Sequence, residues 1–294
     1  MCSSDLIPVQ VKKLGTILPG QDGAIHEGRL FRGDADGSVR VYDLRAWDPG
    51  GGRAFPLIAS FRLDRSDEML PHCNAVTFGA AGGEGLPLLY ANVYNSDQKG
   101  HDRREGVLCA YRLRETESGF VSRLVQVIRI GFVEDRSLWK SLEGDGDVRP
   151  YGNFAVDPER GLLAAFVMRD REPATRYFVF DLPDPEAGEP DPDLGVPCVT
   201  LTVKDIRSRF DGPYIRYMQG ACCRNGILYS VEGFGAEFAS ALPALRTVDL
   251  TAERETAAVD FVSLGLLREP ECIDFDGNEC LYSDGDGNLF RLEL

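Results

Sequence analysis

Leu30–Leu44 reads LFRGDADGSVRVYDL, and Cys280–Leu294 reads CLYSDGDGNLFRLEL. The two stretches run in step without a gap, and each sets an Asp-x-Asp-Gly turn between two apolar runs. Asp-Gly steps suit tight hairpins, whose central residues need positive φ. The closing cadence, an apolar strand ending in an acid or arginine and then Leu, occurs elsewhere too. Its copies are Val39–Leu44 (VRVYDL), Leu108–Leu113 (LCAYRL), Arg176–Leu182 (RYFVFDL), Leu245–Leu250 (LRTVDL) and Leu289–Leu294 (LFRLEL). The first four recur about every 69 residues and the fifth follows sooner. Such repetition of one supersecondary unit predicts a closed array of small sheets.

Each repeat has room for a four-stranded antiparallel blade, its first strand innermost and its fourth outermost. Blade one takes Gly23–Ile25, Arg29–Arg32, Ser38–Leu44 and Phe55–Leu63. Blade two takes Asn74–Phe78, Leu86–Tyr94, Gly106–Leu113 and Val121–Phe132. Blade three takes Asn153–Asp157, Leu162–Met168, Arg176–Leu182 and Pro197–Val203. Blade four takes Gln219–Cys223, Ile227–Val231, Ala244–Leu250 and Ala257–Leu264. Blade five takes Glu271–Phe275, Glu279–Ser283 and Asn288–Leu294 and lacks an outer strand. The strand-like Leu6–Leu14 (LIPVQVKKL) is predicted to supply it. The expected fold is therefore all-β: a single five-bladed β-propeller domain over residues 1–294, closed by an N-terminal strand and so freed of two exposed edges. Val203–Phe210 and Ser137–Leu142 are the few helix or turn candidates. Pro183–Gly195 reads as a solvated loop and Gly50-Gly51-Gly52 as a connector.

The chain has 294 residues, 43% of them hydrophobic, and a formal net charge of −15. That acidity repels phosphate backbones and anionic lipid, so nucleic-acid and membrane partners are not expected. No run approaches the roughly 18 apolar residues of a membrane span. The opening Met1-Cys2-Ser3-Ser4-Asp5 carries neither a basic region nor an apolar stretch. With no signal peptide visible, a cytoplasmic protein is expected. The eight cysteines form no CxxC pair and sit mostly in apolar strands, as reduced core residues do. Three histidines in all argue against a His-rich zinc site.

The starts of the five innermost strands carry polar residues: Asp22, Asn74, Asn153, Gln219 and Glu271. A core strand would begin with an apolar residue, so five polar groups converging on one axis form the best candidate site. They either cap strands and hold water, line a pocket for a small organic ligand, or coordinate a hard cation such as Ca2+. Asp22 and Glu271, in the first and last blades, become neighbours when the ring closes and can serve as an acid–base pair. Glu232 is a third acid able to face the funnel. His72, two residues before Asn74, is a candidate base. Arg216 is placed to grip a carboxylate, and Tyr151 and Tyr217 to stack on a sugar or flat ligand. Each of these also reads as an ordinary rim residue. The Asp34-x-Asp36-Gly37 and Asp284-x-Asp286-Gly287 segments lack the opening acid of a calcium loop and read as hairpin turns. Cys222 and Cys223, adjacent in a strand, point to opposite faces and read as buried residues.

Across essentially its whole length the chain resembles the β-propeller superfamily. The Glu, Asn, Asn and Asp set is similar to the calcium ring of the gluconolactonase and paraoxonase-like propellers. That likeness implies Asp22, Asn74, Asn153 and Glu271 as metal ligands. His72-Cys73-Asn74-Ala75-Val76-Thr77-Phe78, Gln219-Gly220 and Glu269-Pro270-Glu271 resemble helveticin-J-like propellers, described as bacteriocin-like. Asp22-Gly23-Ala24-Ile25 is similar to the first acid strand of five-bladed glycosidases. The expected function is a channel-mouth site for a small polar ligand, a sugar or hydroxylated acid, with or without Ca2+. If catalytic, it is a lactonase-like or glycosidase-like hydrolase in which Asp22 and Glu271 share metal or acid–base roles and His72 carries the proton. The competing expectation is a non-enzymatic scaffold that binds a protein partner.

Overall fold

The computed structural model describes residues 9–46, 54–69, 71–80, 85–93, 106–131, 153–169, 173–215 and 217–294. The first strand, β1 (Gln10–Thr16), belongs to the last blade. Blade one is β2 (Gly23–His26), β3 (Arg29–Gly33), β4 (Ser38–Asp43) and β5 (Leu57–Arg62). Blade two is β6 (Pro71–Phe78), β7 (Leu89–Val93), β8 (Val107–Thr116) and β9 (Gly119–Ile130). Blade three starts with β10 (Asn153–Asp157), β11 (Leu162–Arg169) and β12 (Ala174–Asp181). The chain then makes β13 (Glu189–Pro190) and β14 (Pro197–Leu201) before completing that blade with β15 (Ile206–Gly212). Blade four is β16 (Met218–Arg224), β17 (Ile227–Glu232), β18 (Ala244–Asp249) and β19 (Arg254–Asp260). Blade five is β20 (Pro270–Asp276), β21 (Glu279–Asp284) and β22 (Asn288–Glu293), finished by β1. The five-bladed propeller is present.

The ring closes as the sequence predicts, with β1 antiparallel on β22 from Gln10↔Glu293 to Thr16↔Asn288. The strand runs to Thr16 rather than stopping at Leu14, and residues 6–8 of the predicted segment lie outside the described residues. Side-chain alternation gives every blade two apolar faces, and the core is five layers, one between each pair of successive blades. Phe31 and Tyr111 meet between blades one and two, and Leu108 and Phe154 between two and three. Tyr177 and Leu228 meet between three and four, Leu245 and Tyr282 between four and five, and Leu30 and Leu281 between five and one.

Blade three departs from expectation. Pro197–Val203 is not its outer strand: β14 crosses over and pairs parallel with β9, extending blade two. Both faces of this segment are apolar, which suits a strand covered on both sides. Val196 and Cys198 pack on the layer between blades one and two, and Val199 and Leu201 on the next layer. The outer place goes to β15, where a helix or turn was predicted. Its Arg207, Arg209 and Asp211 face water while Ile206, Ser208 and Phe210 turn inward, the period-2 pattern of a half-covered strand. Part of the predicted loop 183–195 pairs as β13. Ser137–Leu142 and Gly50–Gly52 lie outside the described residues. Among those described, no helix is long and apolar enough to cross a membrane. The seven described cysteines are free, and all but Cys198 are buried.

Candidate functional site

The pairing registers fix which inner-strand positions are equivalent. Gly23, Val76, Phe154, Ala221 and Ile273 pair with Arg32, Ala91, Ala165, Ser230 and Tyr282. Those in turn pair with Arg40, Cys109, Phe178, Arg246 and Phe290, each four residues before the Leu of the repeated cadence. One step back along the inner strands stand Asp22, Ala75, Asn153, Gly220 and Cys272. The five predicted polar residues therefore do not form one ring. Asp22 and Asn153 belong to this tier, while Asn74, Gln219 and Glu271 sit one residue earlier. Each of the latter three lies inside a register shift: Pro71/Val76, Met218/Ala221 and Pro270/Cys272. Bulges of this kind re-aim side chains out of strict alternation.

Asp22 is completely enclosed. Its Oδ2 accepts the N–H groups of Val76 at 2.9 Å and Ala221 at 3.3 Å, so one carboxyl joins blades one, two and four at the axis. Burial raises its pKa well above the ordinary carboxylate value, against the pull of those donors. Gly220 makes the fit possible. A Cβ there would lie 2.5 Å from Asp22 Oδ1 and closer still to the Glu271 carbonyl oxygen. Asn153 donates its Nδ2 to the Gln219 carbonyl. Asp22 Oδ1 and Asn153 Oδ1 are buried without a partner among the described residues.

In the second tier, Asn74 Oδ1 accepts from Asn92 Nδ2. Gln219 Nε2 donates to Glu269 Oε1 at 2.7 Å. Glu271 is 5% exposed, and its Oε2 has no partner among the described residues. Burial pushes its pKa up to about 8; Arg32 opposes the rise, while Glu269, Asp22 and Asp284 add to it. Burial also raises Glu269. Arg32 is fully buried and donates to Ser283 Oγ at 2.6 Å and to the Gly20 carbonyl at 2.6 Å. This arginine was not among the predicted site residues, although the register carried its signal. The other blades place Ala91, Ala165, Ser230 and Tyr282 at its position.

Cys73 and Tyr217, ahead of Asn74 and Gln219, both have φ of 59°. Non-glycine residues pay for that conformation, and strain of this sort gathers at functional sites. Tyr217 packs on Phe234 at 4.1 Å between ring centroids, and Phe234 on Phe238 at 5.6 Å, making an aromatic ledge beside Gln219.

Glu232 does not face the funnel. Leu228, Ser230 and Glu232 share the face of β17 turned to blade three, where Glu232 Oε1 accepts from Arg246 Nε at 2.9 Å. Burial raises Glu232 to about 7, against the attraction of Arg246. His72 is partly buried at the start of β6. Tyr151 and Arg216 lie outside the described residues. The two Asp-x-Asp-Gly segments are hairpin turns, with Asp36 Oδ1 accepting the Ser38 N–H at 2.9 Å and Asp284 Oδ1 the Asn288 N–H at 2.8 Å.

Among the described residues no group of three or more His, Cys, Asp or Glu is arranged to hold a metal ion. The Asn74 oxygen is taken by Asn92, which leaves Asp22 Oδ1, Asn153 Oδ1 and Glu271 Oε2 of the expected calcium ring, with the Arg32 charge close by. Ca2+ usually takes six to eight oxygens, backbone carbonyls and waters included, and these side chains supply three of them at most.

No protein-family model matches the chain, and no curated protein matches it significantly. Among solved structures, glutaminyl cyclase from Myxococcus xanthus is similar over 96% of this chain and 98% of its own, at 12% identity and a TM-score of 0.50. BamB from Moraxella catarrhalis is similar over 96% of this chain and 61% of its own, at 9% identity and a TM-score of 0.35. The likeness to the cyclase is one of fold.

Proposed function

We propose that the end of the central channel where the inner strands begin binds a small molecule rich in hydroxyl or amino donors, a sugar or a hydroxylated acid. The observation that carries this reading is the trio of buried acceptors without partners, Asp22 Oδ1, Asn153 Oδ1 and Glu271 Oε2. Orphan groups of this kind cost about 1–3 kcal/mol each, and a ligand with convergent donors would recover that. The aromatic ledge from Tyr217 to Phe238 offers an apolar face beside them. Glu271, with a pKa near 8, holds its proton at neutral pH and is the group to donate it to a leaving oxygen. Hydrolysis is the matching reaction class, with Glu269 as the second carboxyl. Asp22, sealed by three blades, positions the tier, and His72 is the remaining proton carrier at the mouth.

The test is a thermal-shift titration with monosaccharides, hydroxy acids, an N-terminal glutaminyl peptide and Ca2+. A specific ligand raises the midpoint by mass action. The shift should vanish in Glu271→Gln and Asn153→Ala. A shift that survives both variants, or none with any compound, overturns the reading. In that event a second reading gains, supported by Phe238, Leu242 and Leu267, which are exposed large apolar residues. Their loops are joined by the Ala236 N–H donating to the Leu267 carbonyl at 2.9 Å. That rim suits a protein partner, and the channel would then be structural.

A further inference from the structure

At the opposite end of the channel the inner strands leave a cavity of 290 Å³, lined from all five blades by Ile25, Thr77, Pro158, Cys223 and Phe275. His26 and Pro87 also line a neighbouring groove of 770 Å³. Arg29, Arg112 and Arg114 line this groove with Glu27 and Glu115. Arg29 Nη1 pairs with Glu115 at 2.9 Å, and its buried Nε has no partner among the described residues. Arg112 and Arg114, two apart on one face of β8, are exposed and make no ion pair or hydrogen bond among the described residues. Arg112 also pairs across the sheet with Arg123, a third exposed and unpaired guanidinium. Like charges directly opposite on a sheet face are destabilising. A chain with net charge −15 has carboxylates to spare, yet among the described residues these three cations on the β8–β9 hairpin have no carboxylate partner.

We propose that this groove is a second ligand site, for a small organic anion that carries a carboxylate or phosphate together with hydroxyl groups. The anionic group sits on Arg112 and Arg114, whose planar forks match both oxyanions. The hydroxyls point toward the Glu27 carboxyl and the His26 ring, whose pKa burial lowers. The groove is of the size that small-molecule sites usually have. The proposal is independent of the site at the other end of the channel.

Calorimetric titration of the full chain with citrate, glucose 6-phosphate and inorganic phosphate tests it, at about 50 mM and about 300 mM salt. At least one of the two organic anions should bind, more weakly at high salt. Arg112→Gln/Arg114→Gln should weaken that binding at least about tenfold, with the thermal midpoint kept or raised as repulsion is relieved. Citrate alone binding assigns a carboxylate; glucose 6-phosphate alone assigns a phosphate ester. Arg123→Ala removes an equal charge from the same sheet face but outside the groove lining, and should keep most of the affinity. No binding of either organic anion, phosphate binding as tightly as both, an unaffected double variant, or an equal loss in Arg123→Ala would each overturn the assignment.

Discussion

The two ends of the channel are built from the same five strands and come out opposite in character. Where the strands begin, Ala75, Gly220 and Cys272 are small, and blades two and four touch across the axis. Asp22 and Asn153 fill the space those residues leave, and three bulges carry Asn74, Gln219 and Glu271 alongside. Where the strands end, they part around a 290 Å³ cavity. There Asp274 Oδ2 accepts the Ile25 N–H at 2.6 Å, and Asp157 accepts the Gly226 N–H, so carboxylates tie neighbouring blades while leaving the axis open. One end packs polar side chains onto the axis and leaves three of their oxygens unpaired among the described residues, and the other leaves an open cavity.

The sharpest way to break this contrast is to crowd the closed end. Gly220→Ala puts a methyl against a backbone oxygen and a carboxyl that cannot retreat, so a loss of about 3 kcal/mol or more is expected in urea unfolding. A cost under about 1 kcal/mol would mean the axis is looser than described.

A smaller effect comes from the buried acid. The folded pKa of Glu271 lies near 8, above the usual 4.5, so its contribution to stability is full at low pH and fades as pH rises through about 8. The chain should be less stable at pH 9 than at pH 6, and Glu271→Gln should flatten part of that slope. An unchanged slope would place the carboxyl in water. The smallest effect is expected at the open end. Gly277→Ala, at φ 57° and with nothing within 4 Å of the added Cβ, should cost only about 1 kcal/mol of backbone strain. A loss as large as that of Gly220→Ala would erase the difference between the ends.

Most of the blade pattern was legible in the sequence, because the cadence marks the third strand of every blade and the third strand fixes the register of the second. The closing strand was legible because one sheet was a strand short. The outer strand of blade three was not, since two neighbouring segments, Pro197–Leu201 and Ile206–Gly212, are both able to form strands, and only packing decides which sheet each joins. The polar tiers were half legible. Residue type flagged Asp22, Asn74, Asn153, Gln219 and Glu271. Bulges have no sequence mark of their own, so a single ring was expected where the structure has two tiers. Arg32 was hidden by its neighbours, since LFRG reads as an ordinary strand until the equivalent residues of the other blades are set beside it.

The central claim is that a desolvated, protonated glutamate stands among unpaired acceptors where the inner strands begin. Carboxyl 13C NMR of glutamate-labelled protein, titrated from acid to alkaline pH, measures this directly. Two glutamates should titrate far above the rest, near 7 for Glu232 and near 8 for Glu271, and Glu271→Gln should remove the higher one alone. If every glutamate titrates in the ordinary carboxylate range, the acid at the channel is solvated and the proposed site loses its chemistry.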